Sequence, residues 1–207
     1  MIPVISINSS RFAAVTSTIL DVTALEAAHC APYAQDDVHI WTRDGRILME
    51  AVGHRIAIRT RAQADDPEPF EAVIHRTALA AARAAQPPHG KAVDITLNTD
   101  TEHERVTIAV GPTIITGDLH DPDVWKAAAA HRLERPTTTP ATPILDRSLI
   151  DRALTALNRD GGTRIRPTSH GLALTSDNGD TTVVLINGGT ERTTPRNPLI
   201  IHGEHVL

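Results

Sequence analysis

One pattern of apolar and turn residues occurs three times along this chain, and it constrains the fold more than any single motif. Val4, Ile5 and Ile7 mark a strand, and Asn8, Ser9 and Ser10 offer helix N-caps. Phe12, Val15, Ile19 and Val22 follow at spacings of three and four, the apolar stripe of a helix. Val38 and Ile40 alternate with polar residues, Asp44-Gly45 is a hairpin signal, and Ile47, Met49, Ile56 and Ile58 continue the strand pattern. The order strand-helix-strand-strand-strand then recurs. Phe70–Ile74 reads as a strand, Thr77–Ala85 as an Ala-rich helix, and Val93–Leu97, Val106–Val110 and Ile114-Ile115 as three more strands. A third round has a strand at Ile144-Leu145 and a helix capped by Asp146. Strands at 163–167, 172–175 and 181–186 complete it, with a turn at Asn178-Gly179. Such a period, about fifty residues, marks a repeated supersecondary unit. No element is read after Asn187.

Composition narrows the class. The chain has 207 residues, 41% hydrophobic and 22% charged, enough to bury a core and too apolar for a disordered chain. Aromatic residues are only 2%, so base-stacking platforms for single-stranded nucleic acid are not expected. A net charge of -5 argues against coating nucleic acid by bulk charge. All but two of the basic residues are Arg, the better binder of phosphate and carboxylate. Cys30 is the lone cysteine, which excludes an internal disulfide and a multi-cysteine metal site. The start shows no secretory pattern, and no apolar run reaches the ~18 residues that span a bilayer, so a soluble, cytoplasmic protein is expected.

The stretch from Asp44 to Arg59, DGRILMEAVGHRIAIR, resembles the middle domain of bacterial DNA polymerase III beta subunits, the DNA sliding clamps. Those proteins carry a hairpin ending in Thr-Asp-Gly-His-Arg-Leu-Ala. Gly53, His54, Arg55 and Ala57 match it, Ile56 replaces Leu, and Ala51 and Val52 stand where Thr and Asp are usual. Ala72–Leu79 resembles the strand and helix start that follow, Ile114–Leu119 the strand that closes the domain, and Val183–Ile186 the last hydrophobic strand of a clamp. The fold implied is α+β and DNA-clamp-like, with repeated βαβββ units and helices on one face of antiparallel sheets. The organisation expected is a clamp-like domain of two repeats at 1–125, a helix end and Pro/Thr linker at 126–143, a third repeat at 144–189, and a tail at 190–207. One clamp domain and half of another are then missing.

The resemblance also implies sites. In clamps the Gly-His-Arg-Leu segment and the C-terminal strand line a cleft that takes a short peptide from polymerases and repair proteins. By motif position this points to Gly53, His54, Arg55 and Ile56, with Val184, Leu185 and Ile186 as apolar lining. Clamp helices face a central hole and touch phosphates without reading sequence. The corresponding candidates are Arg11, Arg76, Arg83, Arg147 and Arg152. The partners implied are double-stranded DNA, clamp-binding peptides, and a second copy or a full-length clamp, since one chain of this length does not encircle a duplex.

Motifs for bond chemistry are weak. His202 and His205 lack the i, i+4 spacing of a helical zinc pair. Asp118, His120, Asp121 and Asp123 read as a solvated loop, and no nucleophile elbow or phosphate loop is present. No catalytic residue, metal or cofactor is expected. The function expected is tethering of polymerase or other partners to DNA in replication or repair. The alternative is a clamp-derived interaction module or decoy that binds clamp partners without encircling DNA.

Overall fold

A computed structural model of the chain describes residues 4–30, 36–53, 56–64, 68–87, 94–133, 144–157, 162–168, 171–186 and 198–200. The strands are β1 (Val4–Asn8), β2 (Asp37–Arg43), β3 (Arg46–Val52), β4 (Ile56–Gln63), β5 (Glu71–His75), β6 (Asp94–Asp100), β7 (Arg105–Val110) and β8 (Thr113–His120). They continue with β9 (Ile144–Asp146), β10 (Thr163–Thr168), β11 (Gly171–Ser176), β12 (Thr181–Ile186) and β13 (Pro198–Ile200). The helices are α1 (Ser9–Cys30), α2 (Arg76–Ala84), α3 (Pro122–Leu133) and α4 (Arg147–Leu157). Three successive βαβββ runs are thus present, with α3 between the second and third. Among the described residues, no helix is long and apolar enough to cross a membrane.

The chain divides into two compact units. The first comprises Met1–Leu20, Asp36–Ala51 and Arg59–Ala127; the second comprises Asp21–Gln35, Val52–Ile58 and Ala128–Leu207.

In the first unit the strand order is β1-β6-β7-β8-β5-β2-β3, followed by the part of β4 from Arg59 to Gln63. The pairings β1–β6, β6–β7, β7–β8, β8–β5, β5–β2 and β2–β3 are all antiparallel. Asn8 starts α1 by accepting from the Ser10 backbone N–H at 2.9 Å, as an N-cap side chain should. The Asp44-Gly45 turn has positive φ at both residues, 51° and 72°, which matches the right-handed twist of β2 and β3. His75 caps α2: its ring nitrogen accepts from Thr77 N–H, and the helix buries Ala78, Leu79 and Ala82 against β5, β7 and β8. Alternation puts Ile95 and Leu97 of β6, and Val106, Ile108 and Val110 of β7, into the core. A Cβ on Gly117 would lie 2.9 Å from the Ala78 Cβ, so this strand-to-helix contact requires glycine.

In the second unit β12, β11 and β10 form a meander, each pair antiparallel, with a turn at Gly179 (φ 71°). α4 packs on β9, β11 and β12 through Leu149, Ile150, Ala153 and Leu157. β13 pairs antiparallel with β9, Leu199 opposite Leu145. In the first unit β6 holds the corresponding place on β1, the opening strand of that unit's repeats.

α1 carries the Phe12 stripe and runs on to Cys30, where Ala-Leu-Glu-Ala-Ala supplies good helix formers. Two element readings need correction. The apolar pattern at Ile114-Ile115 gives too short a strand: β8 runs from Thr113 to His120, in line with the resemblance at Ile114–Leu119, since β7 and then β5 pair along it. The stretch after Asn187 contains β13, whose short apolar run finds a partner only in β9.

Candidate functional sites

The Gly53 motif sits where β3 turns into β4. The Gly53 N–H donates to the Ile56 carbonyl at 2.8 Å and closes that turn. Ile56 is buried, His54 and Arg55 lie outside the described residues, and Gly53 is buried. On β12, Leu185 is buried and Val184 half-buried, because alternate residues of a strand face opposite sides. The Ile186 side chain is outside the described residues. Of the seven cleft candidates, Gly53, Ile56, Val184, Leu185 and the Ile186 backbone fall in the second unit.

The five arginines differ in their surroundings. Arg76 Nε lies 2.7 Å from Asp36 Oδ1, and the Arg76 backbone N–H donates to the Asp36 carbonyl. Arg83 donates from Nε to Ser17 Oγ at 3.1 Å and from Nη1 to Gln86 Oε1 at 3.0 Å. These two guanidinium groups already hold α2 to its neighbours. Arg11 is exposed and reaches the Gln63 carbonyl at 3.5 Å. Arg147 is exposed beside Asp151 at 3.7 Å. Arg152 is exposed on α4.

Sequence reasoning missed a cluster in the first unit. His39 on β2 is buried between the only two tryptophans of the chain. Its ring stacks on Trp41 at 4.4 Å between centroids and tilts against Trp125 of α3 at 4.7 Å. His39 Nε2 lies 2.7 Å from Glu71 Oε1 on β5, and Glu71 also pairs with Lys126. A carboxylate only accepts, so the His39 proton is on Nε2. That leaves His39 Nδ1, with Trp125 Nε1, buried without a hydrogen-bond partner. Burial lowers the His39 pKa from its ordinary 6.5, against the raising effect of Glu71. Burial opposes ionisation of Glu71, but hydrogen bonds from Lys126 and His39 outweigh it and hold the carboxyl below 4.5. The bond to Glu71 holds the Lys126 ammonium above 10.5. Beside them, buried Glu50 pairs with Arg59 at 2.8 Å, and the Arg59 guanidinium lies 5.7 Å from the Trp41 ring centroid. The sequence signal was available in the alternation of His39 with Trp41.

This cluster holds shape and charge, through ring stacking and the His39–Glu71–Lys126 contacts. Asp118 and His120 lie on β8 rather than in a loop, and His120 Nδ1 pairs with Asp37 at 2.9 Å. Asp121 Oδ1 accepts from the Asp123 backbone N–H at 2.8 Å where α3 begins. His202 and His205 lie outside the described residues. No group of metal-ligating side chains occurs among the described residues.

No protein-family model and no curated protein matches this sequence. Solved structures do. A sliding clamp from Pseudomonas aeruginosa bound to griselimycin has a TM-score of 0.65 and 10% identity, with 93% of this chain and 67% of that one covered. The sliding clamp of Caulobacter crescentus has a TM-score of 0.65 and 8% identity, covering 92% and 67%. The DNA polymerase III beta subunit of Thermotoga maritima has a TM-score of 0.61 and 10% identity, covering 91% and 65%. In a further structure of a DNA polymerase III beta subunit from Pseudomonas aeruginosa, the chain spans 64% of that chain's length at a TM-score of 0.62 and 11% identity. The likeness read from the Gly53 motif therefore holds at the level of architecture: this chain has the fold of the bacterial DNA sliding clamps.

Proposed function

We propose that this chain is a non-catalytic, sliding-clamp-like protein of DNA replication or repair that tethers a polymerase or repair partner to DNA in the cytoplasm. The observation that carries the reading is the clamp fold over more than nine-tenths of the chain. Residues 1–125 serve as a clamp-like domain, 126–143 as a helix end and linker, 144–189 as a half-domain and 190–207 as a tail. A partner peptide occupies a cleft at Gly53, His54, Arg55 and Ile56, with Val184, Leu185 and Ile186 as apolar lining. Tethering raises the local concentration of the partner, so processivity rises without any bond chemistry. Of the arginines, Arg11, Arg147 and Arg152 are exposed and suit phosphate contact, through self-association or a full-length clamp.

The second reading is a clamp-derived interaction module or decoy that never encircles DNA. It is favoured by Arg76 and Arg83, which already serve Asp36, Ser17 and Gln86.

The experiment is fluorescence polarisation of a labelled clamp-binding peptide against this protein and its His54→Ala/Arg55→Ala variant, with duplex DNA binding followed as salt rises. Peptide binding lost in the variant, with salt-sensitive DNA binding, supports the tether. Peptide binding without DNA binding supports the decoy. Neither kind of binding defeats both readings.

A further inference from the structure

The His39 ring carries a hydrogen-bonding atom that the fold does not use. Its Nε2–H is bonded to Glu71. Its Nδ1 is buried without a partner, and so is the Nε1–H of Trp125, whose ring lies against it. Buried polar groups are nearly always satisfied, so two orphans on adjoining rings mark a contact held against its own polarity. That contact joins α3 to the sheet. Trp125 is 4% exposed against His39, and Lys126, next in the chain, pairs with Glu71. His39 is fixed from both sides. β2 pairs with β3, where Glu50 is opposite His39, and with β5, where Val73 is. α3 has no such ladder. Its first turns belong to the first unit, and the chain leaves that unit after Ala127.

We propose that the first turns of α3, Pro122–Ala127, form a strap that one proton on His39 releases from the sheet. The proton can go only to Nδ1, because Nε2 already holds one. There the new N–H meets no acceptor: Trp125 offers another N–H, and Trp41 stacks on the flat of the ring. The charged groups around the ring give little relief. From β5, Glu71 attracts the imidazolium, but Lys126 of α3 shares that carboxylate. From β3, Glu50 is held by Arg59 of β4, at 3.1 Å from Nε and 2.8 Å from Nη2. Lys126 and Arg59 both oppose a third cation, and Asp123, 3.8 Å from Lys126, is almost fully exposed. Burial acts in the same sense and keeps the ring neutral above pH 6.5. Lifting Trp125 brings water to Nδ1 and to the indole N–H together, and it breaks no strand pairing. Release therefore belongs below pH 6.5, at the stretch by which the chain leaves the first unit. It is independent of the clamp reading.

The test is amide hydrogen exchange of the full chain from about pH 8 to about pH 4, with intrinsic exchange rates divided out. Acrylamide quenching of Trp41→Phe, in which Trp125 is the sole tryptophan, accompanies it. Below the folded pKa, opening of 122–127 should rise by up to about tenfold per pH unit, the limit for one proton. Over the same interval 37–43 and 71–75 should keep their protection, and quenching of Trp125 should rise. His39→Phe keeps a ring between the tryptophans and has no nitrogen to titrate, so both effects should vanish in it. Strap and strands that lose protection together overturn the proposal, because acid then unfolds the unit as a whole. So does a strap whose protection and quenching ignore pH, or an acid release that persists in His39→Phe. If His39→Phe does not fold, the midpoint decides. Release centred between pH 4.5 and 6.5 supports His39, and release only below 4.5, where Glu71 titrates, overturns the proposal.

Discussion

His39 Nε2 and Glu71 Oε1 lie 2.7 Å apart across β2 and β5, and the ring that makes this bond is packed against both tryptophans. A buried neutral imidazole of this kind makes stability depend on pH. Its folded pKa is below 6.5, so the unfolded chain binds the proton first as pH falls. The contribution is present above pH 6.5 and is lost as pH drops through the folded value. Glu71, also depressed, adds loss in the same direction below 4.5. Urea midpoints should be level above pH 6.5 and fall steadily below it. His39→Gln should flatten the upper part of that fall; an unchanged profile contradicts the assignment.

Arg59→Ala tests the neighbouring pair. Glu50 is buried, and Arg59 is half-exposed beside it and over Trp41. Loss of one charged partner from a buried carboxylate is expected to cost about 1–2 kcal/mol after solvent screening of the exposed guanidinium. Chemical denaturation measures it, and tryptophan fluorescence should shift as the cation leaves the Trp41 ring.

Gly117→Ala should be costly for a steric reason. The new Cβ would meet the Ala78 Cβ at 2.9 Å, so β8 and α2 must separate. Overpacking of this kind costs about 1–3 kcal/mol. Ala78→Gly in the same chain removes the clash and should recover much of the loss, read as thermal midpoints of the single and double variants.

Arg152→Ala and Arg76→Ala should separate binding from stability. Arg152 is exposed, whereas Arg76 is bonded to Asp36 at 2.7 Å. If the protein holds DNA through α4, Arg152→Ala lowers the slope of log affinity against log salt by about one and leaves the unfolding midpoint alone. Arg76→Ala should lower the midpoint instead. The reverse pattern would reassign the phosphate contacts to α2.

Leu79→Ala probes the core beneath α2. Leu79 is fully buried on a helix that packs against β5, β7 and β8. The expected loss is about 2–5 kcal/mol. A smaller loss in denaturant titrations would mean that helix and sheet close over the cavity.

The three βαβββ runs were legible in the residues because their signals are local. Apolar spacing along Phe12, Val15 and Ile19, the Asn8 cap and the Asp44-Gly45 turn each act within a few residues. The Gly53 motif was equally visible, since a tight turn is a short-range feature, and Gly53 does close it against Ile56. The His39 cluster was not read, although His39 and Trp41 alternate in plain view. Its other members, Glu71 and Trp125, lie far along the chain.

The sequence by itself determined where strands, helices and turns form, because dihedral preference and side-chain period are properties of neighbouring residues. Only the tertiary structure decided that β8 pairs with both β7 and β5, that β13 pairs with β9, and that His39 meets Trp125. Strand pairing and helix docking join segments distant in the chain. Their register depends on which apolar faces can be buried together, which no local pattern carries.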